Sequence, residues 1–179
     1  MADATVVALA KAVVALIQTA IDDPAHPLGD GLEFNLKRVS LIKQWVIGSD
    51  EHLIRIRVAT LGTEGAPEMT RTTYGVKYVI PVAVIKKLLP TETQGETIDD
   101  ENAEVLAASD ALIGVVQCLT QIFMARENLT PAMDGLAFVK WTHQDASNKQ
   151  GLIFNQLALS ERRQYESTMF LHYEAQFSA

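Results

Sequence analysis

Two sets of charged residues have the types and spacing that could do chemistry. Between positions 92 and 104 stand Glu92, Glu96, Asp99, Asp100, Glu101 and Glu104. Clustered carboxylates can bind a hard cation, but a calcium loop needs alternating oxygen ligands and a fixed glycine, and this stretch has neither. Its simpler reading is a solvated loop running into an acidic first helical turn, where anions are favoured. The second set is basic. Arg55 and Arg57 share one face of a strand, Arg71 follows a loop, Lys86 and Lys87 close a strand, and Arg162 and Arg163 open the last one. Two arginines on one strand face mark either a solvated sheet surface or a surface turned to a partner.

The other reactive side chains form no recognisable apparatus. His26, His52, His143 and His172 are scattered, with no pair at i, i+4 and none beside a serine or cysteine nucleophile. There is no Gly-x-Ser-x-Gly, no dinucleotide fingerprint and no His-Glu-x-x-His. The glycines of 62–70 lack the P-loop spacing and its following Lys-Ser/Thr. The single Cys118 excludes an intrachain disulfide framework and a multi-cysteine zinc site. Flanked by Val115, Val116, Leu119 and Ile122, it reads as a buried core thiol. No cofactor and no metal is expected, and the chain reads as a non-enzyme. A triad assembled from distant residues would be the exception, with His52, His143 or His172 brought near acidic groups.

Those residues need a scaffold, and 179 residues suffice for one domain, 1–179, with a real core. Hydrophobic content of 48% and charged content of 21% argue against disorder. The net charge of −7 argues against gripping nucleic acid through its phosphates. The N-terminal apolar run lacks a basic n-region and is interrupted by Asp3 and Lys11, so it is no targeting signal. No uninterrupted stretch reaches the ~18 apolar residues of a membrane span, and no membrane association is expected. A disulfide-free chain fits a cytosolic assembly environment.

Periodicity supplies the elements. Val6, Leu9, Ala10, Val13, Leu16, Ile17 and Ala20 give residues 5–21 a helical stripe, capped by Asp3 or Thr5. Pro24, Pro27, Gly29 and Gly31 stop it. Strands are expected over 32–41 and 52–60, a loop over 62–70, and a long strand over 71–88, with Pro81 marking an edge, bulge or bend. A helix over about 100–126 buries Val105, Ala108, Leu112, Val115, Val116, Leu119, Ile122 and Phe123. A strand follows at 136–141, with Trp45 and Trp141 in or near loops. From about 164 the chain alternates almost to its last residue. Met169, Leu171, Tyr173, Ala175 and Phe177 take one face, and Thr168, His172, Glu174 and Gln176 the other. The C-terminus is therefore expected to belong to the sheet. The order predicts an α+β two-layer sandwich, a mainly antiparallel sheet of four to five strands with two helices packed on one face.

Order and residues together bring a resemblance. An apolar N-terminal helix precedes Lys37-Arg38-Val39 and the strand Ile54-Arg55-Ile56-Arg57-Val58. Arg71-Thr72-Thr73 leads to a Tyr-containing strand ending in Val84-Ile85-Lys86-Lys87-Leu88, then an acidic loop and helix. Glu161-Arg162-Arg163-Gln164-Tyr165 introduces the last strand. From about Thr5 to Phe177 the chain resembles the tail completion, or tail terminator, proteins of long-tailed bacteriophages. The resemblance implies a non-catalytic virion protein of the tail and neck, assembled in the host cytoplasm as a ring, usually a homohexamer. Such a ring caps the tail tube and joins it to the head-proximal connector. Its partners would be further copies of itself, the tail tube protein and a neck protein, with genomic DNA passing the lumen without specific binding. Arg55, Arg57, Arg71, Lys86, Lys87, Arg162 and Arg163 then become contact candidates, matched by Glu96, Asp99 and Asp100 on the next subunit. The alternatives are a small α+β ligand- or peptide-binding module, or another neck protein such as a head-closure or connector component.

Overall fold

The computed structural model describes residues 5–29, 31–40, 42, 52–60, 62–63, 68–69, 73–88, 98–125, 136–143, 154–155, 158–159 and 163–178. Helix α1 (Thr5–Asp22) is followed by strands β1 (Phe34–Val39), β2 (Ile54–Ala59), β3 (Gly62–Thr63), β4 (Glu68–Met69) and β5 (Thr73–Lys87). Helix α2 (Ile98–Met124) leads to β6 (Leu136–His143) and β7 (Gln164–Ser178). The strands form one mixed sheet in the order β1-β2-β5-β7-β6, and β3 and β4 also pair with β5. Both helices pack on one face, so the α+β sandwich expected from the sequence is the fold.

The apolar stripe of α1 explains its seat. Leu9, Ala10, Val13, Ile17 and Ala20 are buried against Ile54, Ile56 and Val58 of β2 and Tyr78, Ile80, Val82 and Val84 of β5. The stripe of α2, from Leu112 through Phe123, joins the same core with Tyr165, Met169, Leu171 and Tyr173 of β7. The turn after α1 is tight. A Cβ on Gly29 would stand 2.1 Å from the Asp23 carbonyl oxygen, so only glycine fits there. The turn swings the buried Leu28 back into the core.

Strands β5 and β7 form the spine, antiparallel from Thr73↔Ser178 to Lys87↔Gln164. The alternation of β7 matches its burial, with Met169, Leu171 and Tyr173 buried and Thr168, His172 and Glu174 half-buried. Pro81 lies inside β5 rather than at an edge. It falls between the pairs Val58↔Val82 and Gly62↔Val79, where β2 has ended and β3 has not begun, so its missing N–H breaks neither ladder.

Several expectations change. The 62–70 stretch is not all loop, because Gly62–Thr63 and Glu68–Met69 lie antiparallel along the part of β5 that overruns β2. Two-residue strands are too short to show an alternation. Strand β1 runs parallel to β2, a crossover that local periodicity does not encode. Trp141 is inside β6, opposite Leu171. Cys118 is half-buried at the margin of the core rather than inside it. The segment Val105–Met124 of α2 is long and apolar enough to cross a membrane, although Asp110 interrupts it. In this fold its buried stripe lies on the sheet. The caps proposed at Asp3 and Thr5, and Trp45, concern side chains outside the described residues.

Candidate functional site

The strand register gathers four of the sequence candidates at one end of the spine. Arg55 of β2 stands beside Ile85 of β5, which stands beside Glu166 of β7. Lys86 and Lys87 end β5, paired with Tyr165 and Gln164. One residue further, the Leu88 N–H donates to the Arg163 carbonyl at 2.7 Å. Arg55, Lys87, Gln164 and Glu166 therefore share the helix-free face of the sheet, while Lys86 points to the helix side and Arg163 sits at the tip. Arg163 is exposed, Arg55, Lys86 and Lys87 are half-buried, and Gln164 and Glu166 are buried. The result is a basic corner around one buried carboxylate.

A helical turn positions the tip. The Asn155 side-chain oxygen accepts the Ala158 N–H at 3.1 Å, and the Asn155 carbonyl accepts the Leu159 N–H at 3.2 Å. That is N-capping, in which a short side chain satisfies an otherwise unpaired first-turn amide. The Arg163 N–H returns to the Leu159 carbonyl at 3.1 Å, and Arg163 has φ 46°, a left-handed conformation. The Asn155 N–H donates to the Glu166 carbonyl at 2.7 Å and holds the turn against β7.

Arg57 separates from this group. Its guanidinium Nη1 donates to the Asn35 and Ile56 carbonyls, which staples β2 to β1. A guanidinium spent on its own backbone is a structural device, so Arg57 is corrected from contact candidate to sheet clamp. Arg55, two residues away on the same face, has a buried Nε with no hydrogen-bond partner among the described residues. Asp99 and Asp100 lie in the first turn of α2. Arg71, Glu96 and Arg162 lie outside the described residues.

The histidines stay apart. His52 faces Glu33 at 3.7 Å on the surface, and His172 lies on the helix-free face opposite Val79. His143 ends β6, and His26 accepts the Leu28 N–H at its Nδ1 in the turn after α1. Among the described residues no three His, Cys, Asp or Glu side chains come together as a metal site. Burial pushes the Tyr165 and Tyr173 phenols well above the usual range, and the Ser167 hydroxyl pulls Tyr165 partly back.

Sequence reasoning assigned no role to Glu166. Its signal was present: it falls in the β7 parity of Thr168 and His172, on the face away from the helices. What makes it buried is the apolar pair Ala83 and Ile85 beside it on β5, with Ile42 packed over them. No family model matches this chain, and no characterised protein matches it in sequence.

Proposed function

We propose that this chain is a non-catalytic structural subunit of a long-tailed phage virion, a tail terminator or completion protein. It assembles as a ring that caps the tail tube and meets the neck. The observation that carries this reading is the basic corner. The Glu161-Arg162-Arg163-Gln164-Tyr165 stretch, one of the segments that carry the sequence resemblance, enters β7 beside Lys86 and Lys87. A sheet covered by helices on one face and ending in a cationic corner supplies a rigid plate with a charged contact at its end. That is what a heterologous, ring-closing interface uses. The net charge of −7 supports a lumen to which DNA does not adhere.

Light scattering on the size-exclusion peak, with electron microscopy of the same fraction, tests the reading. The expected result is a closed ring of several subunits that attaches to the ends of purified tail tubes. A monomer or dimer that ignores tube ends would overturn it.

A further inference from the structure

Arg163 occupies a backbone position that suits glycine. Its φ of 46° lies in the left-handed region, where a Cβ crowds the following carbonyl. Both of its backbone groups are committed, the N–H to Leu159 and the carbonyl to Leu88, so the conformation is imposed by the junction of turn and strand. Left-handed C-terminal caps of helical turns are filled mainly by glycine, then asparagine. Here the position holds a long cation that is exposed, at the end of a spine whose neighbouring strand ends in Lys86-Lys87. Strain held by a non-glycine residue collects where a side chain is needed for recognition.

We infer that Arg163 is the anchor of the contact between copies, and that its occupant is the acidic segment 92–104 of a second copy. The inference rests on the ring reading above and adds to it the residue and its counterpart. Charge selects the occupant. The corner brings Arg55, Lys86, Lys87 and Arg163 against the single buried Glu166, a net excess of cations. The stretch 92–104 carries Glu92, Glu96, Asp99, Asp100, Glu101 and Glu104 with no lysine or arginine. A planar guanidinium with five donors is suited to hold a carboxylate in two-point contact, which the ammonium of lysine is not.

The test separates backbone from side chain. Arg163→Gly relieves the left-handed strain and removes the cation. It is expected to raise Tm by about 2 °C and to weaken self-association at least ~10-fold in light scattering, a loss that 0.5 M salt reproduces in the wild type. Arg163→Lys is expected to keep the strain and recover only part of the association. Arg163→Glu and the double variant Asp99→Arg/Asp100→Arg are each expected to fail to assemble alone and to assemble when mixed. If the wild type forms rings and Arg163→Gly forms them equally well, this inference fails and the ring reading stands. A lowered Tm for Arg163→Gly would assign the residue to its own fold and overturn the inference. A wild type that never associates would overturn both.

Discussion

The two faces of the β5–β7 spine are built from the same two strands and obey different rules. On the helix side Ile80, Val82, Val84, Met169 and Leu171 are buried with relative exposures of 0–1%, and every neighbour is apolar or aromatic. On the other side apolar Ala83 and Ile85 are just as buried, yet they lie between Arg55, Arg57 and Glu166. One face is sealed by two helices that periodicity alone can place. The other is a seam of charges around a small apolar strip, where each charge needs its own explanation. The contrast shows that burial alone does not define a core; the chemistry of what is buried separates a stabilising face from a contacting one.

The sharpest way to break the comparison is to cut into the sealed face. Leu171→Ala is expected to cost about 2–5 kcal/mol in urea unfolding, the transfer of a leucine side chain plus the cavity left behind. Glu174→Gln, three residues on and on the other face, is expected to stay within about 0.5 kcal/mol. Equal losses at the two sites would erase the distinction.

The next effect is a pH dependence confined to the sealed face. The Tyr165 and Tyr173 phenols are raised from 10.0 by burial. The folded chain therefore keeps protons that the unfolded chain releases. Their contribution is fully present below pH 10 and is lost as pH rises through the window above it. Each phenol adds a slope of about 1.4 kcal/mol per pH unit there. Denaturant midpoints measured from pH 9 to 11.5 should fall past pH 10, and Tyr165→Phe/Tyr173→Phe should flatten the fall. An identical curve for the double variant would assign the alkaline loss to other groups.

The smallest expected effect sharpens the charged face itself. Arg57→Met removes the guanidinium that bridges the Asn35 and Ile56 carbonyls and is expected to cost about 1–2 kcal/mol. Arg55→Met replaces a side chain whose buried Nε has no hydrogen-bond partner among the described residues and is expected within about 0.5 kcal/mol of neutral. Calorimetry on the pair decides whether two arginines that look alike in sequence are alike in the fold.

What was legible in the sequence follows from how local the cause is. The stripes of α1 and α2 and the alternation of β7 are written in residues a few positions apart, and each landed on the face expected of it. The pairing partners are not local. Nothing near Phe34 states that β1 lies parallel to β2, and nothing in Gly62-Thr63 states that β5 extends past β2 and accepts a short strand. The candidate site was legible as a set of cations and not as an arrangement. Lys86, Lys87 and Arg163 converge because β5 and β7 end together, whereas Arg57 turns inward to carbonyls only because β1 lies beside it. Glu166 escaped notice because its burial depends on Ile85, a residue far away in the chain.

The Thr73–Lys87 strand has a further consequence, in the order of synthesis. Its main partner, Gln164–Ser178, leaves the ribosome only after the whole of α2 and β6 has been made. Until then one side of a fifteen-residue strand, rich in valine and isoleucine, has no neighbour to pair with. Such a segment pairs readily with another nascent chain. The growing polypeptide therefore passes through an interval of aggregation risk that the finished fold no longer displays, and fast release or a holdase should raise its yield.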